Sequence, residues 1–266
     1  MNIGFIHHNI EGFCYLTAPS LDECGVRHCF TTRLGGVSKA HLSELNLGFG
    51  RGDDEFALKE NYRRVFDCLG FTGENLSTTM QIHKTNVAYV EKPILRSENC
   101  DALITDKPKI PLMSYCADCV PILIYDRRKN CAATCHSGWR GTASKIALVT
   151  VQRMKSLFGS DPEDLLCAIG PSIGKCCFEV MDDVVDIFKE SFNEFSQELI
   201  KEDDDGIHYR INLQKAVALA LYEAGIPDEN LSMADECTLC HNDLYFSSRG
   251  GKKLFGAMGA FIELKG

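Results

Sequence analysis

A cysteine and a histidine near the middle of the chain are spaced so that a β-hairpin would bring them together. Two β-like runs, residues 120–125 and 131–136, flank a polar segment at residues 126–130, and this pattern predicts an antiparallel hairpin. Cys119 precedes the first run and His136 ends the second, at equal distances from the predicted turn. Because opposite residues of an antiparallel pair are neighbours, we expect Cys119 to face His136. A register slip of one residue would put them on different faces.

A cysteine that faces a histidine suits two kinds of chemistry. One is a thiolate–imidazolium nucleophile, as in a cysteine hydrolase. The other is zinc binding, because thiolate sulfur and imidazole nitrogen are common zinc donors. His83, in the β-like segment MQIHKTNV, is a plausible third ligand, and three protein ligands would leave an open, catalytic position on the ion. A packed cysteine beside a hydrogen-bonded core histidine would produce the same pattern.

The segment CHSGWRG, residues 135–141, holds the only tryptophan of the chain and several polar groups at the end of the second run. Strand alternation turns Cys135 away from His136, so we expect Cys135 in the core. Gly138 is small enough for the chain to turn closely past a metal site. We expect Trp139 to form or support a pocket wall.

Helical and strand-like segments are mixed along the chain. Apolar spacing with N-cap or glycine stop signals predicts four helices, at residues 53–70, 144–159, 182–195 and 212–225. Apolar and β-branched runs predict five strands, at residues 102–105, 112–115, 120–125, 131–136 and 165–169. Because strands and helices do not alternate strictly along the chain, this mixture predicts an α+β fold. Since no repeat or long linker interrupts it, we expect residues 1–266 to form a single domain.

Composition excludes several classes of protein. The net charge of −9 argues against a nucleic-acid binder, which usually carries a basic patch. No apolar run reaches the length of a transmembrane helix, so we expect no membrane partner. The N-terminal segment lacks the basic and apolar regions of a signal peptide, which predicts a cytoplasmic protein. Its 14 cysteines are then expected to stay reduced, mostly as small buried hydrophobes.

The other cysteine motifs have weaker functional interpretations. The segment CTLCH, residues 237–241, matches the pattern of c-type haem attachment, but that interpretation requires export. The cysteine pairs of CADC and CTLC are separated far more widely than those of a zinc ribbon. Cys176 and Cys177 are adjacent, a poor geometry for bridging to each other, so we expect them to be packed in the interior.

Nine motifs, taken in order, resemble those of one family, the laccase-domain or multicopper polyphenol oxidase family. Its members are described as purine nucleoside phosphorylases and some as peptidoglycan editing factors. The ADC-x-P and H-x-GWRG motifs are the specific ones, whereas the glycine-rich segments alone would be weak. The motifs are TTRLGGVS (31–38), LNLG (45–48), ENYRR (60–64), QIH (81–83), CDALIT (100–105), ADCVP (117–121), HSGWRG (136–141), GPSIGKCCFEV (170–180) and CT…FSSR (237–249).

This resemblance implies a fold, a cofactor and an activity. The family fold is α+β, with mixed β-sheets packed as a sandwich and helices on the outside. Family members bind Zn²⁺ at the positions of His83, Cys119 and His136, which are therefore expected to be both metal ligands and catalytic residues. Cu²⁺ is the alternative ion. The implied activity is phosphorolysis of adenosine, inosine and S-methyl-5′-thioadenosine, with adenosine deamination, so the expected partners are purine nucleosides and phosphate.

Phosphorolysis also requires side chains that hold phosphate and nucleoside. Basic residues or a glycine-rich nest can hold phosphate. The candidates are Arg33 with Gly35 and Gly36, Asn46, Arg63, Lys84 and Arg140. The chain departs from the family where Arg51 replaces a hydrophobic residue and where Gly250 replaces the second of two adjacent arginines. Asp118 is a possible proton carrier, but strand alternation points it away from Cys119.

Three other functions remain open from sequence. A cysteine or zinc hydrolase that edits peptidoglycan precursors fits the same Cys and His residues. A laccase-like polyphenol oxidase would use bound copper, although the chain has 8 histidines and no H-x-H pair, which a multicopper site would need. A non-enzymatic partner protein has no positive feature in its favour. The sequence does not determine the oligomeric state.

Overall fold

The first β-sheet joins both ends of the chain. The computed structural model describes residues 4–251 and 254–266. The C-terminal strand lies inside this sheet and pairs antiparallel with a strand on either side. The six strands lie in the order β1 (Ile6–Ile10), β2 (Phe13–Thr17), β3 (Arg27–Thr31), β15 (Met258–Glu263), β7 (Leu112–Cys116) and β4 (Ser77–Thr78).

The second sheet contains the hairpin expected from the sequence. Its six strands lie in the order β14 (Leu231–Met233), β10 (Leu165–Ile169), β8 (Val120–Asp126), β9 (Cys131–Ser137), β6 (Ala102–Thr105) and β5 (Val87–Tyr89). Every residue of β8 and β9 is buried, because both faces of these central strands are covered. A small third sheet contains β11 (Glu179–Val180), β13 (Tyr209–Ile211) and β12 (Ile200–Glu202).

Helices cover the outer faces of the two large sheets. Between the sheets, Phe30 and Ile262 of the first sheet share one apolar cluster with Leu123 of the second. On the other side of the first sheet, Val65 packs in a cluster with Phe261. This layering confirms the α+β sandwich with outer helices. The helices are α1 (Pro19–Glu23), α2 (Glu55–Leu69), α3 (Trp139–Ala143), α4 (Ile146–Phe158), α5 (Asp182–Phe192), α6 (Ser196–Leu199) and α7 (Leu213–Glu223).

Local sequence signals set the ends of the longer helices. The Asp54 side chain caps α2 by accepting hydrogen bonds from two backbone N–H groups of the first turn. Gly70 ends α2 in the left-handed conformation, with φ of 68°. Asn212 caps α7 by accepting the N–H of Lys215, as its position before the apolar run predicts.

The β8–β9 hairpin forms as expected, but its register differs from the prediction by two residues. Pro121, not Cys119, lies opposite His136. The reason is the turn, whose centre falls between Arg128 and Lys129, one residue later than the sequence suggests. Because side chains alternate with a period of two, a shift of two residues leaves Cys119 on the same face as His136.

The segment around His83 is a loop, not the β-like run that the sequence suggests. Strand β5 begins only at Val87, and His83 itself has a φ of 59°. A histidine rarely adopts this left-handed conformation, so surrounding contacts must hold it. Within the described residues, no helix is long and apolar enough to cross a membrane.

Candidate functional site

His83, Cys119 and His136 come together although they belong to three different segments. One side-chain donor atom from each lies within 4.8 Å of the others. The imidazole rings of His83 and His136 meet edge to face, with centroids 4.9 Å apart. Burial increases from the exposed His83 through Cys119 to the buried His136. Strand β9 therefore supplies His136, the residue directly before β8 supplies Cys119, and the loop before β5 supplies His83.

A buried carboxylate, Asp101, orients two of these three side chains. Its Oδ1 atom lies 2.9 Å from Nδ1 of His136 and accepts the backbone N–H of His83, also at 2.9 Å. Its Oδ2 atom accepts the N–H groups of Ile82 and Lys84. With Nδ1 of His136 bound to a carboxylate, Nε2 is free to ligate a metal, the usual arrangement of a metal-binding histidine.

These hydrogen bonds also determine the charge of Asp101. Burial alone would raise the pKa of its carboxyl group, but the hydrogen bonds from His136 and Lys84 outweigh burial and lower that pKa. An ionised Asp101 can accept all four hydrogen bonds, which holds the His83 loop in its left-handed conformation. Strain at His83 is thus offset by one carboxylate that the sequence places directly before β6.

Gln81 anchors the same loop from its other side. Its amide nitrogen donates to the Tyr115 carbonyl at 3.0 Å, and its amide oxygen accepts the Tyr115 N–H at 2.8 Å. The side chain therefore pairs with the end of β7 as another strand would. In the Q-x-H motif, the glutamine fixes the loop and the histidine points into the cluster.

Gly138 leaves the space in which His83 and Cys119 meet. A Cβ atom at this position would lie 2.6 Å from Cδ2 of His83 and 3.2 Å from Sγ of Cys119. No side chain fits there without displacing the imidazole. The glycine of the H-x-GWRG motif is thus needed for close approach, as the sequence suggests.

Cys119 and His136 shift each other's pKa towards the charged forms. Burial would raise the pKa of the Cys119 thiol, but the imidazoles of His136 and His83 outweigh burial and lower it to about 6. Burial would lower the pKa of His136, but the Cys119 thiolate and the Asp101 carboxylate raise it to about 9. Cys119 is therefore held as the thiolate, the form that ligates metals.

The cluster lies at the wall of a cavity of about 710 Å³. Aromatic side chains from three separate segments line it, namely Phe49, Tyr115 and Phe255. Arg51 and Arg96 supply positive charge, and the Arg51 guanidinium lies 4.3 Å from the centroid of the Phe255 ring. A cavity with flat apolar walls, two cations and a cluster of metal donors can hold a planar, polar ligand.

The three arginines proposed from sequence lie elsewhere. Arg33 donates three hydrogen bonds to the carbonyls of Ser43 and Asn242. Arg63 is exposed on α2, where it pairs with acidic side chains of the same helix. Arg140 is exposed and lies over the Trp139 ring, 4.1 Å from its centroid. None of the three lines the cavity.

Asn46 supports the cavity from behind. It is fully buried, and its amide oxygen accepts the N–H groups of Gly48 and Ala257, each at 3.0 Å. Both of these residues line the cavity. Asn46 therefore orders the loop that carries Phe49 and Arg51, and it does not itself line the cavity, where the sequence placed it as a substrate-binding candidate.

Asp118 faces away from the cavity, as strand alternation predicts. Its carboxylate accepts hydrogen bonds from the hydroxyls of Thr238 and Ser248 and from the N–H of Arg249. These contacts tie the C-terminal segment to the residue before Cys119. Asp118 thus has a positioning role next to a candidate ligand.

Asp101, Arg96 and Tyr115 are site residues that the sequence does not predict. Asp101 lies in the CDALIT motif, directly before a predicted strand, and this position is the one sequence feature that points to it. Arg96 lies in a loop and Tyr115 at the end of β7, positions with no local signal. Only packing of the two sheets brings them to the cavity.

Known proteins share this fold and match this sequence over most of its length. The model of the family described as multi-copper polyphenol oxidoreductase laccase matches residues 27–265. A Bacteroides thetaiotaomicron protein named purine nucleoside phosphorylase is 32% identical over 247 residues, 88% of this chain and 91% of the relative. Purine nucleoside phosphorylase YlmD of Geobacillus stearothermophilus is 34% identical, with 87% and 88% covered. A crystal structure of YlmD from that organism matches with a TM-score of 0.91 and 31% identity over 98% of this chain and 100% of that one.

Proposed function

Because the chain belongs to the multi-copper polyphenol oxidoreductase laccase family, whose relatives include proteins named purine nucleoside phosphorylase, we propose that it is a zinc-dependent purine nucleoside phosphorylase. We propose adenosine, inosine and S-methyl-5′-thioadenosine as substrates, with adenosine deamination at the same site. One observation carries the proposal: the donors His83, Cys119 and His136 border a cavity that also has aromatic walls and two arginines.

The donor set fits zinc. One thiolate and two imidazoles, with donor atoms within 4.8 Å of one another, match three ligands of a tetrahedral ion. Asp101 supplies the hydrogen bond that metal-binding histidines normally make through the other ring nitrogen. When bound there, zinc would supply Lewis-acid chemistry beside the cavity.

The donor set fits a multicopper oxidase less well than it fits a single zinc ion. Such enzymes need several histidine-rich sites. Among the described residues, this is the one cluster of possible metal ligands that contains histidine, and it contains two. The site therefore favours a single ion and argues against laccase-type electron transfer between coppers.

The cavity residues suggest how a nucleoside and phosphate would be held. A purine ring has two flat faces that can stack on Phe49, Tyr115 or Phe255. Phosphate would be bound by Arg51 and Arg96, because guanidinium groups bind phosphate oxygens through two hydrogen bonds. The Arg51 side chain is already ordered against the Phe255 ring, which reduces the entropy lost on binding.

The proposed reaction exchanges one bond for another at C1′ of the ribose. A phosphate oxygen forms a bond to C1′ as the bond from C1′ to N9 breaks, and the purine takes up the electron pair and a proton. The products are ribose 1-phosphate and the free base. Arginine side chains neutralise phosphate charge as it approaches the developing positive charge on the ribose.

Product analysis with adenosine tests the proposal directly. In phosphate buffer, the purified protein should release adenine and ribose 1-phosphate. Without phosphate, it should release inosine and ammonia, because water replaces the amino group of the base. If neither pair of products forms in the presence of zinc, the proposed function is wrong. Replacing adenosine with S-methyl-5′-thioadenosine or inosine then measures substrate preference.

A further inference from the structure

A second group of possible metal ligands lies outside the cavity, in a region that the proposed reaction does not use. The thiols of two adjacent cysteines and of a C-x-x-C pair converge there, with all four sulfur atoms within 4.8 Å of one another. We call this group the four-cysteine cluster. It consists of Cys176, Cys177, Cys237 and Cys240. Its position corrects the expectation that Cys176 and Cys177 are packed in the interior, since Cys176 is exposed and Cys177 is half-buried.

We propose that the four-cysteine cluster is a closed, structural site for one thiophilic divalent ion, zinc. Sulfur lies about 2.3 Å from zinc, so two thiolates on one tetrahedral ion are about 3.8 Å apart. The Cys240 sulfur is 3.4 Å from the sulfur of Cys176 and also 3.4 Å from that of Cys177. These separations match one shared ion. This proposal does not depend on the enzymatic activity proposed above.

The distances argue against a disulfide as the purpose of the cluster. A disulfide would pair Cys240 with one partner at about 2.05 Å. Cys240 is instead equally far from Cys176 and Cys177, and all four thiols are free. Sites with four cysteine ligands are typical of zinc or iron–sulfur centres. The two sulfur–sulfur separations of 3.4 Å favour a single ion over a larger cluster.

The backbone around the cluster leaves room for the sulfur atoms. A Cβ atom on Gly174 would lie 3.0 Å from Cβ of Cys237 and 3.1 Å from Sγ of Cys176, so glycine leaves the space that the sulfur atoms occupy.

Positive charge lies beside the cluster. Arg210 donates a hydrogen bond of 2.8 Å to the Cys176 carbonyl. Lys175, Lys201 and Arg210 line a cleft next to Cys176, together with Asp203 and Asp204. Four thiolates on one divalent ion carry a net negative charge, which neighbouring cations reduce.

The proposed ion would join two segments that are distant in the sequence. The turn at residues 174–178 follows β10, and residues 237–241 follow β14. Near the cluster, backbone hydrogen bonds link Ser172 to Glu236 and Thr238. The second segment continues to the groups that hold the Asp118 carboxylate, beside Cys119. The ion would thus stabilise the support behind the first cluster.

Zinc content of the full-length protein tests this proposal. Protein purified under reducing conditions should contain two zinc ions per chain. The Cys119→Ser variant and the Cys176→Ser/Cys240→Ser variant should each contain one, because each change removes ligands of one cluster. Cys24→Ser is the matched control, since Cys24 is another exposed, free cysteine. It should retain both ions. Equal zinc content in wild type and the double variant would overturn the proposal.

Cobalt provides a measurement that does not depend on folding of the double variant. In the Cys119→Ser protein, one Co²⁺ ion should give the intense visible bands of a tetrahedral site with four thiolates. Their absence would contradict the proposal. So would a disulfide within the cluster, seen as two cysteines that resist alkylation after non-reducing denaturation of the purified protein.

Discussion

The His83–Cys119–His136 cluster and the four-cysteine cluster use similar atoms in different ways. The first has one sulfur and two nitrogen donors, borders a cavity and takes two of its ligands from the central hairpin. The second has four sulfur donors on two loops near the surface. Three ligands beside a cavity leave a position for substrate, whereas four ligands fill a tetrahedral ion. Donor number and access therefore separate a catalytic role from a structural one.

Removing a ligand of the first cluster should have the largest effect. Cys119→Ala should lower nucleoside phosphorolysis by more than about 100-fold, because loss of a ligand exceeds the 10–100-fold cost typical of losing an outer-shell contact. The measurements are kcat/KM with adenosine and zinc content, which should fall by one ion. Cys135→Ala is the matched control, since Cys135 packs in the core beside the helices. It should retain both zinc ions.

Replacing Asp101 should weaken only the first cluster. In Asp101→Asn, an amide group faces backbone N–H donors, so the His83 loop and the His136 ring lose their orientation. We expect zinc affinity at this cluster to fall about 10–100-fold. Asp126→Asn is the control, because Asp126 is a buried carboxylate that accepts backbone N–H groups at the other end of the hairpin. Equal zinc affinities in the two variants would contradict the role of Asp101.

Gly138→Ala tests the close approach of His83. The added methyl group should displace the imidazole, at a cost of about 1–3 kcal/mol for overpacking, and so weaken zinc binding about tenfold or more. Zinc competition titrations measure this change. Gly141→Ala is the milder control, since a Cβ atom there would lie 3.3 Å from its nearest neighbour, the Lys84 carbonyl oxygen. If Gly138→Ala binds zinc as tightly as wild type, the close approach of His83 to residue 138 is not needed for zinc binding, and this prediction is wrong.

Arg51→Gln should affect substrate and leave both metal clusters intact. Loss of one charged hydrogen bond, about 1.5–3 kcal/mol, predicts a KM for phosphate at least about tenfold higher. Initial rates at varied phosphate measure this. Arg63→Gln is the control, and it should change the KM less than about twofold because Arg63 does not line the cavity and pairs with acidic side chains of α2. The reverse result would restore Arg63 as the phosphate ligand.

Sequence analysis located most of the elements near the site. Strands β6 and β10 begin and end where apolar runs predict, and the caps Gly70 and Asn212 lie at the ends of their helices. Such signals are local, because caps and periodicity depend on residues a few positions apart. The hairpin register was wrong by two residues since turn length, which sets register, is not determined by the flanking runs.

The candidates for binding substrate were selected by residue type, but residue type does not determine whether a side chain reaches the cavity. Arg33 and Arg63 have basic side chains like Arg51, yet their guanidinium groups are bound elsewhere. The four-cysteine cluster was missed for a related reason. Its two pairs, CC and CTLC, are about sixty residues apart, a separation far wider than that of a zinc ribbon, and CTLC was instead compared with CADC.

Local periodicity and capping signals are enough to predict the α+β class, the helix caps, the central hairpin and the shared face of Cys119 and His136. The loops that reach this hairpin cannot be predicted in the same way. The Asp101 carboxylate holds the His83 loop by accepting its backbone N–H. Packing of the two sheets brings Arg51 and Phe255 to one cavity. Two loops bring four thiols together. These are contacts between distant segments, and they depend on packing that no short stretch of sequence encodes.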